Sequence, residues 1–395
     1  MGGAGVGGLT ASLALARGGF RVVVLEQAEH LEETGAGIQL SPNASRTLIG
    51  LGLEEQLRAY AVTPAALRVL DAHSGREIVR MPLGEAAAQR YGAPYWVIHR
   101  GDLQAALVTT VTQTPGISLK LGTSMEDFAI QTSGVSVSAH SAAGAVTEAG
   151  AALIAADGLW SVTRKRLGHD SSPRFAQRAA WRALVPAKHV SPELTEPLVH
   201  LWLGPNAHLV HYPVKGGSLI NVVVITDDAW NAPGWSVPAS RADLLQRISK
   251  SDWASQALSL IDAPEGWLKW ALYDLRPFPR WSQGPVALLG DAAHPVLPYL
   301  AQGAAMAIED AAVLAQCLAQ QPDDPTSALR AYEEARWARV RKVQRLATRN
   351  GARYHLSGVQ AMVRNLAMRA LGGARLLHHY DWLYDWQPPA VLSLT

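Results

Sequence analysis

The segment GDAAHP at residues 290–295 decides the fold, because it stands where a strand turns into a helix. It follows the apolar run VALL at 286–289 and leads through PYLAQG at 298–303 into a long helical pattern. A strand that ends in Gly-Asp before a helix places a carboxylate and several backbone N–H groups beside a ligand. The chain also opens with GAGVGG at residues 3–8. Two nucleotide-type motifs so far apart predict one large ligand that is held from both ends.

The composition is that of a soluble globular protein. Its 395 residues are 48% hydrophobic and 17% charged, enough for two or three domain-sized units. Lys and Arg total 35 against 33 for Asp and Glu, and this balance predicts neither nucleic acid nor a membrane surface as a partner. The single cysteine, Cys317, excludes an internal disulfide and a cysteine-rich metal site. Because no apolar run reaches about 18 residues and no signal peptide is present, we expect a cytoplasmic protein without a metal.

The N-terminal glycines fit the dinucleotide-binding pattern G-x-G-x-x-G through Gly3, Gly5 and Gly8. In that pattern the first glycine permits a tight turn, the second admits a pyrophosphate, and the third lets the helix pack on the strand. A helical face follows, and residues 20–25 indicate a buried parallel strand that ends at Glu26. An acid about 20 residues beyond the glycines is where ribose hydroxyls would be held. The pattern therefore predicts a Rossmann-type α/β domain.

One element of that domain is missing, because only Met1 and Gly2 precede the first glycine of the pattern. The turn should follow a strand of about five or six residues, and in a doubly wound sheet that strand is central. Each backbone N–H or C=O group of the neighbouring strands that is left unpaired at this position would lower the stability by about 1–3 kcal/mol. We therefore expect that the first strand is truncated and that the natural chain starts several residues earlier.

The middle of the chain is rich in β-strand patterns. Residues 209–214 and 219–225, with the turn Lys215-Gly216-Gly217 between them, predict a β-hairpin. The α/β pattern resumes at Val286, and after about residue 301 the chain is helical. We expect a first domain over residues 1–175, with a small strand insertion at about 62–98, then a β-sheet substrate domain over 176–280, and a return to the first domain with C-terminal helices over 281–395.

Four motifs in this order resemble the single-component flavin-dependent aromatic hydroxylases, the family that includes para-hydroxybenzoate hydroxylase. The motifs are residues 3–8 with Glu26, the segment around Arg100, Asp157-Gly158, and Gly290-Asp291. The resemblance covers essentially the whole chain. Three further segments look most like the branch with salicylate hydroxylase, 3-hydroxybenzoate 6-hydroxylase and 6-hydroxynicotinate 3-monooxygenase: GIQLSPN at 37–43, VLPYLAQG at 296–303 and DWLY at 381–384.

The resemblance implies an FAD monooxygenase that hydroxylates a small, salicylate-like aromatic acid or a phenol. NADH or NADPH would reduce FAD as a transient co-substrate, and O₂ would form a flavin C4a-hydroperoxide that transfers OH to the ring. An N-heteroaromatic such as a hydroxynicotinate is the alternative substrate, and a homodimer is the expected assembly if the chain associates. An alternative of another class is a non-catalytic, FAD-deficient remnant whose cofactor domain was destroyed by the missing strand.

The resemblance also implies which residues bind the cofactor: Gly3, Gly5, Gly8, Glu26, Arg46, Arg100, Gln104, Asp157, Gly290, Asp291, Gly303 and Ala304. A helix that starts near Gly303 would direct its positive end at the flavin's pyrimidine edge, where reduced flavin is anionic. Without the resemblance, Asp157 and Arg164 would form a turn with a surface ion pair, and Arg100 would form a salt bridge at a helix start.

On the substrate side, His208 and Tyr212 are four residues apart, so both point to one face of a strand. In the resembling hydroxylases a His and a Tyr so spaced line the aromatic pocket, which implies catalytic roles for both. A histidine with a pKa near neutral suits a base that removes a phenolic proton. His211 points to the other face, and without the resemblance His208 would itself be structural. Further pocket candidates are Gln39, Pro298, Tyr299 and Gln302, and a substrate carboxylate would find its donor in backbone N–H groups, Gln39 or Arg182.

Overall fold

Strands and helices alternate over the first part of the chain, strands dominate the middle, and helices dominate after Gln302. The computed structural model describes residues 1–31, 36–169, 172–230, 236–278 and 280–389. The strands are β1 (Val22–Leu25), β2 (Gly37–Leu40), β3 (Ala66–Asp71), β4 (Glu77–Pro82), β5 (Trp96–His99), β6 (Ile117–Lys120), β7 (Thr123–Gln131), β8 (Gly134–Ser141), β9 (Gly144–Gly150), β10 (Leu153–Ala155), β11 (Arg174–Pro186), β12 (Val199–Gly204), β13 (Ala207–Val214), β14 (Leu219–Asp227), β15 (Val237–Ala239), β16 (Trp267–Asp274), β17 (Ser282–Gln283) and β18 (Val286–Leu288).

The helices are α1 (Val6–Arg17), α2 (Pro42–Gly50), α3 (Glu54–Arg58), α4 (Gly84–Tyr91), α5 (Arg100–Gln113), α6 (Val162–Arg166), α7 (Arg241–Leu245), α8 (Ser255–Asp262), α9 (Gly303–Gln320), α10 (Pro325–Tyr354), α11 (Gly358–His378) and α12 (Asp381–Tyr384). The long helices α9 to α11 confirm the helical pattern predicted after residue 301. Within the described ranges, no helix is both long and apolar enough to cross a membrane.

A mainly parallel sheet carries the glycine-rich turn. β1 pairs with β6 and β10 pairs with β18, both in parallel, and β17 adds to β18 in the antiparallel direction. Gly2 joins the two halves, because its N–H donates to the Ile154 carbonyl at 2.8 Å and the Gly3 N–H donates to the Leu25 carbonyl at 2.8 Å. Residues 1–3 therefore lie at the central position where the sequence predicted a missing strand, and they pair with both neighbouring strands.

Helix α1 begins directly at the turn. Its N-cap is Gly5, in an extended conformation, and its C-cap is Gly18. Leu9 and Leu13 on its inner face are buried, and they share one hydrophobic core with apolar residues of α5 and α9. Burial of this kind contributes about 1.5–3 kcal/mol for each large aliphatic side chain. The turn is thus fixed between the parallel sheet and two helices.

The middle of the chain forms an eight-stranded sheet in the order β15-β16-β11-β14-β13-β12-β3-β4. β13 and β14, joined by the turn Lys215–Gly217, confirm the predicted hairpin. β3 runs parallel to β12, with Leu67 opposite Val199 and Asp71 opposite Leu203. The strands that the sequence assigned to a small insertion of the first domain therefore extend the large sheet.

The two faces of the large sheet pack differently. On one face Trp181, Leu209 and Val222 form a core with residues of α8. On the other face Tyr212 and Val214 join a core that includes Val340 of α10 and Leu377 of α11. Because alternate residues of a strand point to opposite faces, His208 lies on the same face as Tyr212, towards the parallel sheet and the C-terminal helices.

Candidate active site

The glycine-rich turn has room for a ligand at one glycine only. Gly3 has φ +98°, and a Cβ there would lie 2.5 Å from the Ala156 carbonyl oxygen. A Cβ at Gly8 would lie 2.0 Å from the Gly3 carbonyl oxygen, whereas a Cβ at Gly5 would meet nothing within 4 Å. Gly3 and Gly8 are therefore required by the turn itself, and Gly5 borders open space. This division is the one that a pyrophosphate-binding turn needs.

Glu26 and Gln104 flank this turn on both sides. The Glu26 carboxylate accepts hydrogen bonds from the Ala4 N–H at 2.6 Å and the Ala28 N–H at 2.9 Å. The Gln104 amide donates a long hydrogen bond of 3.5 Å to the Ala4 carbonyl. Both side chains are half-buried. The acid at the end of β1 is thus held beside the turn, where a ribose would follow the pyrophosphate.

The Gly-Asp motif forms a short turn, Gly290–Ala292, at the end of β18. Gly290 has φ +62°, and its N–H donates to the buried Asp310 carboxylate at 3.1 Å. The Asp291 side chain is exposed to solvent, yet the surrounding protein desolvates it enough to raise its pKa, against the opposing charges of His294 and Arg100. The carboxylate therefore stands in a recess of the protein, with the Arg100 cation near it.

The Asp157-Gly158 motif is connected to the Gly-Asp motif through the buried side chain of Arg164. Asp157 accepts hydrogen bonds from the Thr163 N–H at 3.1 Å and the Thr163 hydroxyl at 3.0 Å, and its second carboxylate oxygen is buried without a partner. Arg164 is fully buried and donates to the carbonyls of Ala292 and Leu159 at 2.9 and 2.6 Å. Arg164 is therefore an internal brace between two motifs, not half of a surface ion pair.

This donor set fits FAD. The turn offers space at Gly5, a ribose-binding acid at Glu26, and a recessed carboxylate with a cation at Asp291 and Arg100. Arg46 is used differently in this structure, since its guanidinium donates to the carbonyls of Trp386 and Tyr91 and so ties α2 to the C-terminal segment. A contact between Arg46 and the cofactor stays a prediction.

The segment between the Gly-Asp motif and α9 is held by a buried polar network. Gln302, predicted to line the substrate pocket, is fully buried, and its amide hydrogen-bonds to the Ser41 hydroxyl at 2.8 Å and to the Asn43 amide at 3.1 Å. The Asn43 amide also donates to Glu309 at 2.6 Å. Gln302 therefore belongs to this buried network, because its long side chain turns towards Ser41 and α2. A contact between Gln302 and the substrate stays a prediction.

The network continues through three buried charged side chains and the half-buried Arg339. Arg336 donates to Glu309 and to Asp310 at 2.7 Å each, and Arg339 donates to Glu309 at 2.6 Å. His294 lies 2.6 Å from Asp310, whose pKa is held at about 2 because His294 and Arg336 outweigh the effect of burial. The charges fix α9 against α10. The first turn of α9, with Gly303 and Ala304, has no side-chain cap at its N-cap residue, so its first N–H groups are not satisfied by that side chain.

His208 and Tyr212 share one face of β13, as predicted, and His211 points to the other face. The His208 ring lies 5.6 Å from the Tyr299 ring. The Tyr212 hydroxyl hydrogen-bonds to Gln39, which also accepts from the Tyr95 hydroxyl at 2.6 Å. The His211 ring stacks on the His200 ring at 4.3 Å and accepts from the Trp202 indole at 3.2 Å. The face of His208 and Tyr212 is therefore lined by aromatic rings and amides that suit a small aromatic ligand.

The pKa of His208 differs from the near-neutral value expected for a base. Burial, together with the Arg178 cation, lowers it to about 3, so the ring is neutral at physiological pH. His208 Nδ1 lies 2.7 Å from His355 Nε2, and His355 Nδ1 contacts the Arg178 guanidinium and lies 3.4 Å from Asp227. The sequence did not predict His355 or Arg178, because both reach the site from elements distant along the chain and neither belongs to a motif.

Tyr299 lies between the His208 face of β13 and the helix α10. Its buried ring packs against Tyr354 at 6.4 Å and against the backbone of Gly351, and burial raises its pKa. Pro298 begins the short turn that carries Tyr299 and is half-buried. Ala301, at φ +51°, ends that turn in the left-handed region. The turn is thus a compact link from the aromatic face to α9.

The parallel sheet with its glycine turn, the Gly-Asp recess and the aromatic face define an FAD-dependent oxidoreductase. The family described as "FAD binding domain" matches residues 2–347. The chain is 38% identical over 383 residues to 3-hydroxybenzoate 6-hydroxylase 1 of Aquipseudomonas alcaligenes, covering 97% of this chain and 96% of that protein. It is 35% identical over 354 residues to 6-hydroxynicotinate 3-monooxygenase of Bordetella bronchiseptica, covering 88% of this chain and 90% of that protein.

Solved structures agree with these relatives. HpxO of Klebsiella pneumoniae, crystallised with FAD and uric acid, has a TM-score of 0.83 at 26% identity, covering 96% of this chain and 94% of that one. The chain therefore belongs to the FAD-binding family of flavin-dependent aromatic hydroxylases, which confirms the resemblance of its motifs. Neither the fold nor the relatives support the alternative of a non-catalytic remnant.

Proposed function

We propose that this chain hydroxylates the ring of a small aromatic acid that carries a phenolic hydroxyl, with O₂ as oxidant and NADH or NADPH as reductant. One oxygen atom enters the ring, the other leaves as water, and NAD(P)H supplies two electrons. The observation that carries the proposal is the aromatic face of β13, where His208 and Tyr212 lie beside the segment that leads back to Asp291. By their names, the relatives act on 3-hydroxybenzoate and 6-hydroxynicotinate, so a hydroxynicotinate is the second candidate substrate.

Bound FAD would supply the redox chemistry, accepting electrons from the nicotinamide and activating O₂. The chain's own residues would hold and orient it. Gly5 leaves room for the pyrophosphate, Glu26 would bind the ribose, and Asp291 with Arg100 would bind the middle of the cofactor. The first turn of α9, at Gly303 and Ala304, would direct its partial positive charge at the ring edge that becomes anionic on reduction. The cytoplasmic location and a homodimer stay predictions from the sequence.

His208 would stabilise the deprotonated phenol as a neutral hydrogen-bond donor. The Arg178 guanidinium can only donate, so Nδ1 of His355 accepts from it and the proton of His355 lies on Nε2, which is 2.7 Å from Nδ1 of His208. Because Nδ1 of His208 accepts from His355, the proton of the neutral His208 lies on Nε2, from which it would donate to the phenolate oxygen. The low pKa of His208 suits this role, because the ring stays neutral. The phenolic proton would leave to solvent, and the resulting phenolate is the more nucleophilic form of the ring.

The test is His208→Ala. We expect substrate-dependent hydroxylation to fall by roughly 10²–10³-fold, the usual range for loss of one hydrogen-bond donor to a developing oxyanion, while the FAD content stays near that of the wild type. Product formation is measured by chromatography with ¹⁸O₂, so that uncoupled NAD(P)H oxidation is not counted as hydroxylation.

A matched control is His211→Asn on the opposite face of the same strand, which should keep turnover per bound FAD. A parallel loss of FAD and turnover in His208→Ala would make His208 structural. If the wild-type holoenzyme incorporates no ¹⁸O from ¹⁸O₂ into any aromatic acid tested, the monooxygenase proposal itself is rejected.

A further inference from the structure

Arg182 lies on the aromatic face of the large sheet, one row from the two candidate catalytic residues. It stands opposite Val223 of β14, and Val223 stands opposite Val210 of β13. Residues in one row across a sheet share a face, so Arg182 and Val210 point the same way as His208 and Tyr212. Two strand spacings of about 4.8 Å and two residues of about 3.3 Å separate Arg182 from His208, roughly 12 Å between Cα atoms. At that separation the two side chains could contact opposite ends of one small aromatic acid.

The Arg182 cation has no anionic partner within the described parts of the chain. Its Nε is buried without a hydrogen-bond partner, and no described carboxylate forms an ion pair with it. Burial, together with the neighbouring Arg100 cation, lowers its pKa to about 10, and only Tyr212 opposes them. A desolvated guanidinium beside a second cation is unfavourable unless an anion binds there.

The position of this guanidinium is nevertheless fixed. Its central carbon lies 4.9 Å from the centre of the Trp270 ring, a cation–π contact. Such a contact uses the flat face of the guanidinium and leaves its edge N–H groups available. The side chain is thus prepared to donate in the plane of a carboxylate.

A second unused donor lies beside it. Asn221 of β14 is 0% exposed, its Oδ1 accepts from the Gly37 N–H at 2.7 Å, and its Nδ2 has no partner. Asn221 stands opposite Tyr212 in β13 and two residues from Val223, the partner of Arg182. Diagonal neighbours of this kind lie about 7–8 Å apart. Two buried donor atoms without acceptors therefore lie on neighbouring strands, on the same face of the sheet as Tyr212.

We propose that Arg182, assisted by the Asn221 amide, binds the carboxylate of the aromatic substrate and so orients its hydroxyl towards His208. The proposal rests on the proposed function, and it selects Arg182 from the donors that the sequence left open. A cofactor phosphate is the other anion that could occupy this position, and the experiment below separates the two.

The test compares an acid with its uncharged isostere, 3-hydroxybenzoate with 3-hydroxybenzamide. Both are titrated against the FAD-loaded protein, and binding is measured from the change in visible flavin absorbance. In Arg182→Gln we expect the affinity for the acid to fall at least tenfold, since a buried charge pair is broken, while the affinity for the amide changes less than threefold. Arg182→Lys should recover part of the loss for the acid. Arg174→Gln, which removes an exposed arginine of the same strand, should change neither affinity.

Three results would overturn the proposal. They are an equal loss for acid and amide, an unchanged preference for the acid, and a loss of FAD affinity with the preference intact, which would assign Arg182 to the cofactor. The proposed function is separable from these outcomes. If acid binding depends on Arg182 but no product gains oxygen, the inference stands and the monooxygenase proposal falls. If the wild type hydroxylates neutral phenols but binds no acid, the monooxygenase proposal stands and the inference about Arg182 falls.

Discussion

At the glycine-rich turn, a methyl group added at Gly5 should weaken cofactor binding, whereas one added at Gly8 should weaken folding. Gly5→Ala places its Cβ in open space, so we expect the cofactor-free protein to keep its melting temperature. The same Cβ would project towards the pyrophosphate, so FAD affinity should fall at least tenfold. Gly8→Ala places its Cβ 2.0 Å from the Gly3 carbonyl and should lower the melting temperature before any cofactor is added. Differential scanning fluorimetry of apo protein and FAD titration by flavin fluorescence measure the two effects.

The pair of variants is its own control, because both add a methyl group to the same turn. A Gly5→Ala protein that binds FAD like the wild type would show that the cofactor does not approach this glycine. A Gly8→Ala protein as stable as the wild type would show that the turn relaxes more easily than its close backbone contact indicates.

Single residues were predictable where a motif or a strict period fixes their direction. The alternation of a strand was sufficient to place His208 and Tyr212 on one face and His211 on the other. Gln302 lacked such a constraint, and its side chain could turn to either side of the segment, so its place in the buried network was missed. His355 and Arg178 carry no sequence signal, because only the folded chain brings the end of α10 next to β11 and β13.

At the scale of elements, α10 and the turn Pro298–Leu300 approach each other through a glycine. A Cβ on Gly351 would lie 2.7 Å from the Tyr299 ring. Gly351→Ala should gain about 1 kcal/mol of helix propensity, yet we expect a net loss of about 1–3 kcal/mol in the free energy of unfolding, because the ring has to move. Displacement of Tyr299, 5.6 Å from the His208 ring, should also slow turnover. Urea unfolding and steady-state rates measure both effects.

Removal of the ring tests the cause. In the double variant Gly351→Ala/Tyr299→Ala, the methyl group has space, so the added cost of the glycine substitution should vanish. If the two substitutions add without coupling, the contact between α10 and the turn is not the source of the loss.

Elements with local signatures were predicted better than their pairing. The hairpin of β13 and β14 follows from its Gly-Gly turn, and the long helices follow from their composition. The sheet membership of β3 and β4 was not predictable, because their partner β12 lies far along the chain and periodicity reports only which side is buried. The strands near residues 1–3 show the same limit, since backbone pairing there involves residues from distant segments.

At the scale of the whole molecule, buried histidines predict acid sensitivity. Burial lowers the pKa of His200 to about 4 and of His208 to about 3, and it lowers that of His211 well below its usual value. Below the unfolded value of about 6.5 the unfolded chain binds more protons, so stability falls as the pH drops from 6.5 towards 4. At pH 5 each histidine should cost on the order of 2 kcal/mol. Melting temperatures of the holoenzyme between pH 7.5 and 5.0 measure this trend.

The slope of that curve identifies its source. Replacing His200 with Gln should flatten the dependence between pH 6.5 and 5, whereas replacing the exposed His140 with Gln should leave it unchanged. The carboxyl of Asp310 does not interfere, because its pKa is depressed to about 2 and its stabilisation is lost only below about pH 4. A melting temperature that is constant from pH 7.5 to 5.0 would contradict the assignment.

The parallel pairing of β3 with β12 has a consequence for recombining this protein with its relatives. An exchange of residues 176–280 treats the substrate domain expected from the sequence as one transferable unit. It would instead cut the large sheet between β12 and β3 and pair strands from two parents along five residue positions, from Val199–Leu67 to Leu203–Asp71. A chimera that preserves the native interface must therefore inherit two separate blocks from the same parent, one beginning before Ala66 and one containing β11 to β16.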